Sequence, residues 1–223
     1  PLQTKSEVWY SDSAEQLAAN LLEVSPTLMT AVPRLYDVLH DRIMRGVRSK
    51  GGISARLFHE TVRLGLKRLA GRRLLPHEFI LNLVLEKSVR QKVQARLGGQ
   101  LAYFISGGAA LNPDVGSFFM ALGVNLLQGY GQTEASPLIS ANRPSFIKID
   151  TVGPPVDGVE LRLSDEGEIL VRGDMLMKGY WRDPATTASV IKDGWLYTGD
   201  LGSVDTDGYV TITGRKKDII VNS

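Results

Sequence analysis

From residue 13 to residue 98 the apolar positions recur every three or four residues, the period of helices with one buried face. Ser13 to Val24 predicts the first helix: Ser13 is placed to cap it, Gln16 stands at the capping-box spacing, and Leu17, Leu21 and Val24 share a face. Ser25-Pro26 stops it. Thr27 to Val32 is a short apolar run that predicts a buried strand. Pro33 suits the first turn of a helix reaching about Arg48, with Leu35, Val38, Leu39 and Ile43 inward. After a break at Gly51-Gly52, Ala55 to Ala70 and His77 to Leu97 predict two further helices, closed by Gly71 and by Gly98-Gly99.

The pattern then changes. Leu101 to Ile105 predicts a buried strand ended by Ser106-Gly107-Gly108, Asn112-Pro113 opens a helix to about Leu122, and Val124 to Leu127 predicts a strand that delivers Tyr130 to a loop. Strand, glycine-rich loop, helix and strand together predict a parallel α/β sheet, in which ligands bind beyond the carboxyl ends of strands. From about residue 150 the chain reads as β-rich. Val159 to Leu163 and Glu168 to Val171 flank a turn at Asp165-Glu166-Gly167, and Asp183-Pro184 starts a short helix. Tyr197, Val204 and Tyr209 to Thr213 belong to further strands, with Asp205-Thr206-Asp207-Gly208 as a hairpin turn. The expected division is an α/β part over 1–150, with a helical insert at about 33–98, and a β-rich, barrel-like part over 151–214.

The chain has 223 residues, 43% of them hydrophobic, enough for a real core. It contains no cysteine, which excludes disulfides, thiolate metal sites and thiolate nucleophiles and suits a reducing, cytoplasmic setting. The longest nearly apolar run, Val115 to Leu127, is too short to span a membrane. The first residues, Pro1-Leu2-Gln3-Thr4-Lys5, lack a start methionine and read as the middle of a longer protein. The net charge of +2 hides an asymmetry. Between Arg34 and Gln100 there are 15 basic and 5 acidic side chains, so the remainder carries −8. The basic block either attracts phosphate or the inner face of a membrane, or is a set of solvated faces on amphipathic helices. Salt-sensitive sedimentation with anionic liposomes separates the two. Nucleic-acid binding is not expected, because no reading module is present and the block has few aromatics.

Three polar clusters carry the candidate chemistry. Gly129-Tyr130-Gly131-Gln132-Thr133-Glu134 combines a ring, two glycines, a hydroxyl and a carboxylate in six residues. Tyr130 either stacks on a purine or is a core tyrosine. Thr133 can donate to a phosphate oxygen. Glu134 needs a partner, and Mg²⁺ is a natural one because hard cations take oxygen ligands. In Tyr197-Thr198-Gly199-Asp200 the carboxylate can hold two ribose hydroxyls or simply form a turn. In Gly214-Arg215-Lys216-Lys217-Asp218, Arg215 is a surface charge or a ribose or phosphate donor. Gly107-Gly108-Ala109 either lets a flat ligand approach the backbone or is a tight turn.

Taken in order, these segments resemble the adenylate-forming, AMP-binding acyl-CoA synthetases. The resemblance also covers Pro26-Thr27, Val32-Pro33-Arg34-Leu35-Tyr36, Ser106 to Leu111, Gly167 to Gly173, Gly179-Tyr180-Trp181 and Gly194 to Asp200. The helical insert and the wording Arg215-Lys216-Lys217-Asp218-Ile219-Ile220-Val221-Asn222-Ser223 are most similar to the long-chain fatty-acid branch. An aryl, short-chain or amino-acid substrate within the same family is the alternative, and a non-catalytic AMP-binding module is a third reading.

The resemblance implies ATP-dependent activation of a fatty acid to an acyl-adenylate, then transfer to coenzyme A, with Mg²⁺ assisting. It implies that Gly107, Gly108 and Ala109 line the adenine and acyl pocket, that Tyr130 with Gly131 receives adenine, that Thr133 touches phosphate and that Glu134 holds Mg²⁺. Asp200 and Arg215 would bind ribose, and Lys217 would stand at the hinge to a C-terminal domain, with 215–223 as the hinge segment. Phe118, Phe119, Met120 and Leu122 are candidates for an apolar acyl tunnel, with helix core as the equal alternative. No Ser/Thr/Gly-rich loop ending in Pro-Lys-Gly is found, and the chain stops just after the hinge position. The expectation is an adenosine half-site that does not support acyl-dependent ATP–pyrophosphate exchange by itself.

Overall fold

A computed structural model describes residues 6–11, 13 and 16–218. Two compact units arise, one from 1–105 with 114–126 and the other from 106–113 with 127–223. Among the described residues, no helix is long and apolar enough to cross a membrane.

The first unit is mostly helical. Helix α1 (Leu17–Val24) starts later than the expected Ser13 and buries Leu17 and Leu21; its N-cap is Gln16, not Ser13, and the Ser13 hydroxyl accepts the Gln16 N–H at 3.3 Å ahead of the helix. Strand β1 (Leu28–Ala31) is not buried as expected; its residues alternate between exposed and half-buried because it lies at a sheet edge. Helix α2 (Pro33–Lys50) starts on Pro33 and buries Tyr36 and Leu39. Tyr36 donates to the Ile105 carbonyl at 2.7 Å, and its ring packs on Phe104 of β2 (Tyr103–Ser106) and Phe119 of α6 (Pro113–Ala121). Phe119 and Leu122 are fully buried and Phe118 nearly so, which makes them helix core. Helix α3 (Gly52–Leu69) begins at Gly52, earlier than the expected Ala55. It crosses α6 closely at Gly65, where a Cβ would stand 2.5 Å from the Ala121 carbonyl oxygen.

The helix expected over 77–97 is interrupted. Helix α4 (Pro76–Leu85) passes into a π-turn over Glu86–Arg90 before α5 (Gln91–Arg96). The wider turn places the Arg90 guanidinium inside, 3% exposed, where it donates to the carbonyls of Ala121 and Thr61 and to Asn82 Oδ1. Arg90 also pairs with Glu86 at 3.2 Å.

Glu78 anchors the start of α4. Its buried carboxylate accepts from Lys67 at 2.5 Å, the Leu75 N–H at 2.9 Å and Arg63 at 3.0 Å. The Lys67 hydrogen bond, followed by the Leu75 N–H, lowers its pKa to about 2. A depressed carboxyl pKa stabilises the fold above its ordinary value, and the benefit disappears as pH falls through the folded value. The melting-temperature gap between wild type and Glu78→Gln is therefore expected to be full above pH 4.5 and to close on the way to about pH 2, followed by thermal melts across that range.

Strands β1 and β2 belong to a sheet of order β1-β2-β3-β4, through which β3 (Asn125–Gly131) continues into the second unit. There it pairs antiparallel with β4 (Leu138–Ala141), an unforeseen strand that makes the sheet mixed. Tyr130 lies within β3, not in the loop after it, and faces Ser140, with a bulge between Tyr130 and Gly131.

The rest of the second unit is a curled antiparallel sheet. Strands β5 (Glu160–Leu163) and β6 (Glu168–Arg172) form the expected hairpin. The short helix α7 (Pro184–Val190) is capped by Asp183, which accepts the Thr186 N–H at 2.9 Å. It leads into β7 (Ile191–Lys192), β8 (Trp195–Val204) and β9 (Val210–Arg215), in the order β5-β6-β8-β7 with β9 on β8. Tyr197 and Val204 fall on the single ten-residue strand β8, which pairs with β6 over 196–201 and with β9 over 200–204, the latter with a bulge at Leu201/Gly202. Ala135, Ile139, Ile169, Val171, Leu196 and Val210 form the core. The Asp205 to Gly208 hairpin turn is held by Asp205 Oδ1, which accepts the Asp207 and Tyr209 N–H groups at 2.9 Å.

Candidate nucleotide site

The site in the second unit grows from the pairing of β8 with β9. Their register sets Asp200 opposite Arg215. Asp200 is buried, and its two oxygens take different partners: the Tyr130 hydroxyl donates to Oδ2 at 2.6 Å and Arg215 Nε lies 3.2 Å from Oδ1. A carboxylate offers roughly four acceptor positions, so about two stay available to hydroxyls of a ligand. The Arg215 side chain is 72% exposed, so its guanidinium is solvated while its Nε holds the carboxylate. Burial, and next the hydrogen bond to Asp200, raise the Tyr130 phenol well above its ordinary pKa and keep it a donor.

Local backbone chemistry holds Asp200 in place. The Thr198 hydroxyl donates to the Ile169 carbonyl at 2.7 Å and accepts the Asp200 N–H at 3.1 Å. Glu168, also buried, accepts the Gly199 N–H at 3.0 Å and Lys216 Nζ at 3.1 Å. Lys216 also bridges to Glu166 at 2.6 Å.

After β3 the chain tightens into a 3-10 turn over Thr133–Ala135. Gly131 is required there, because a Cβ would sit 1.8 Å from the Pro137 carbonyl oxygen. The Thr133 side chain is left exposed. Glu134 Oε1 accepts the Tyr180 hydroxyl at 2.8 Å, while its backbone carbonyl accepts the Met177 N–H. No other hydrogen bond to the Glu134 carboxylate is seen among the described residues. Those residues hold no group of three potential metal ligands. A single carboxylate fits Mg²⁺, which is commonly held by one or two carboxylates together with substrate phosphates. Glu134 would supply that oxygen, and the ion would neutralise phosphate charge.

Gly107, Gly108 and Ala109 form a bend of the same unit. A Cβ on Gly107 would meet the Gly129 carbonyl at 3.6 Å, and Gly108, with φ +82°, faces open space. Ser106 Oγ beside them is buried without a hydrogen-bond partner among the described residues. The structure thus joins Tyr130, Asp200 and Arg215 by direct contacts. Thr133 and Lys217 take no hydrogen bond or ion pair with that trio among the described residues; Lys217 is exposed and lines an open cavity with Lys216, Glu168 and Tyr197. Sequence alone gives no role to Tyr180, Thr198 or Glu168, although each lies inside a motif that carries the family resemblance. Ile219 to Ser223, the end of the hinge wording, lie outside the described residues.

The chain has relatives among known proteins. Residues 5–181 match the family model of the AMP-binding enzymes. The chain is 35% identical to the long-chain-fatty-acid–CoA ligase FadD15 of Mycobacterium bovis over 99% of its own length and 37% of that protein. It is 32% identical to the peroxisomal long chain acyl-CoA synthetase 6 of Arabidopsis thaliana over 95% of its length and 32% of that protein. The chain therefore spans about a third of the curated relatives it matches. Among solved structures, an ATP-bound RpMatB–BxBclM chimera superposes with a TM-score of 0.63 at 26% identity, covering 94% of this chain and 34% of the other. A benzoate CoA ligase from Burkholderia xenovorans LB400 shares the fold, with a TM-score of 0.64 at 21% identity over 96% and 36% of the two chains. The chain belongs to the AMP-binding enzyme family.

Proposed function

We propose that this chain supplies the adenosine-binding part of a long-chain fatty-acid–CoA ligase, which joins a fatty acid to AMP at the expense of ATP and passes the acyl group to coenzyme A. The observation that carries this reading is the buried Asp200 carboxylate, held by Tyr130 and Arg215 with acceptor capacity left for a diol. Asp200 and Arg215 bind the ribose hydroxyls. The Tyr130 ring faces adenine, with Gly131 and the Gly107-Gly108-Ala109 bend giving close backbone approach. Thr133 donates to the α-phosphate, and Glu134, steadied by Tyr180, supplies the Mg²⁺ ligand. Lys217, exposed in the 3-10 turn that follows β9, serves as the hinge. The parts 1–150, 151–214 and 215–223 then act as acyl and adenine subdomain, β-rich subdomain and hinge.

The chemistry follows from these groups. A carboxylate is a poor electrophile, and an adenylate leaving group makes it reactive. Binding energy on the adenosine holds the α-phosphorus in line with the attacking acid, and cations offset the charge that develops. Long-chain specificity rests on the names and identity of the relatives. The test is acid-dependent ATP–pyrophosphate exchange by the gene product that carries this chain, with hexadecanoate, benzoate and malonate in parallel. Hexadecanoate is expected to be preferred by at least about tenfold in kcat/KM; preference for benzoate or malonate would replace the long-chain reading.

A further inference from the structure

On its β6 side, Asp200 does not sit on a regular ladder. Between the pairs Glu168↔Leu201 and Leu170↔Tyr197, β6 advances two residues while β8 advances four. Thr198-Gly199-Asp200 therefore bulges, and its backbone groups need partners other than a ladder strand. Side chains supply them. Thr198 Oγ1 accepts the Asp200 N–H, and the buried Glu168 carboxylate accepts the Gly199 N–H at 3.0 Å through Oε1. Gly199 has φ +73°, and nothing stands within 4 Å of where its Cβ would be, so packing does not fix this peptide. The other edge of the site depends on polar contacts in the same way. Every residue from Thr213 to Asp218 is exposed. The Arg215 side chain is held by Asp200, and that of Lys216 by Glu168 Oε2 at 3.1 Å and Glu166 at 2.6 Å.

One buried carboxylate thus reaches the residue before Asp200 with one oxygen and the residue after Arg215 with the other. A buried carboxylate is costly unless it is paired and hydrogen-bonded, and an ion pair of this kind often adds little net stability. Bracing the bulge alone would need only the Gly199 contact, which an uncharged amide oxygen makes as well. We propose that Glu168 is a positioning residue of the ribose site: by joining Gly199 to Lys216 it fixes the Asp200 carboxylate relative to the Arg215 guanidinium, and so selects a nucleotide with a diol. The inference rests on the ribose reading of Asp200. Glu168 itself touches no ligand. A small rotation of the Gly199–Asp200 peptide would turn the free acceptor positions of Asp200 away from two adjacent hydroxyls. Contacts to adenine and phosphate, made from β3 and the 3-10 turn after it, would be left as they are.

The experiment is calorimetric titration of the gene product that carries this chain, with AMP and with 2′,3′-dideoxy-AMP, which lacks both hydroxyls. The wild-type protein is expected to prefer AMP by at least about tenfold, and Asp200→Ala to lose that preference. Glu168→Ala is expected to cut the preference to about threefold or less by weakening AMP, with the dideoxy nucleotide bound as before. Glu168→Gln keeps an acceptor for the Gly199 N–H but gives up the ion pair with Lys216, so its preference is expected to fall between the two. Lys216→Met, at an exposed position, is expected to match Glu168→Gln, and it keeps the test decisive if Glu168→Ala does not fold. A merely structural brace would weaken both nucleotides equally or neither. A wild-type preference retained in Glu168→Gln and Lys216→Met would therefore overturn the inference and leave the ribose reading intact, as would equal losses for the two nucleotides. No preference for AMP in the wild-type protein would overturn the ribose reading and the inference with it.

Discussion

Replacing Asp200 with alanine in the gene product that carries this chain is expected to lower kcat/KM for ATP by about two to four orders of magnitude, with a much smaller change for the acid. Hydrogen bonds to a charged acceptor contribute about 1.5–3 kcal/mol each, and the proposal gives Asp200 two of them to ribose. The substitution also leaves the Tyr130 hydroxyl and Arg215 Nε without their carboxylate partner. Asp200→Asn is the sharper comparison. It retains one acceptor oxygen but removes the charge, so its loss is expected to be intermediate. Steady-state exchange kinetics with ATP and fatty acid varied separately measure both. Equal losses for the two substrates would point to general damage rather than ribose recognition.

Gly131→Ala is expected to have a comparable effect on nucleotide binding and a larger one on stability. The added methyl would sit 1.8 Å from the Pro137 carbonyl oxygen and 2.7 Å from its carbon, and neither is the end of a flexible side chain. That carbonyl already accepts the Gln132 N–H at 2.9 Å, so it cannot retreat without losing the bond. The 3-10 turn that carries Thr133 and Glu134 must move instead. Overpacking of this kind typically costs about 1–3 kcal/mol, which for a chain of this size lowers the melting temperature by about 2–12 °C. Gly46→Ala is the control. Its Cβ meets nothing within 4 Å and it lies inside α2, so it is expected to be neutral or stabilising by up to about 1 kcal/mol. Thermal melts of the two variants, with AMP titration of each, test the contrast.

The helices and hairpins were legible wherever one local cause decides them. Pro33 starts α2, Asp183 opens α7, and Gly167 closes the β5–β6 turn, as their chemistry predicts. The interruption at Glu86–Arg90 was not legible, because it serves partners far along the chain, the carbonyls of Thr61 and Ala121. Strand β4 was missed for a similar reason. It is a four-residue strand defined by its pairing with β3 more than by its own pattern. At the candidate site, the residue types of Tyr130, Asp200 and Arg215 were readable from their motifs. What sequence could not supply was the contact between Tyr130 and Asp200 across 70 positions, or the support of Glu134 by Tyr180 across 46. Through that first contact Tyr130 does two things, facing adenine as proposed and orienting the ribose acceptor.

The central claim is that Asp200, oriented by Tyr130 and Arg215, recognises the ribose of an adenosine nucleotide. Calorimetric titration of the 223-residue chain with AMP, beside the same chain carrying Asp200→Ala, tests it most directly. Saturable one-to-one binding to the wild-type chain is expected, with at least about tenfold weaker binding to the variant. Equal AMP affinity in the two would contradict it.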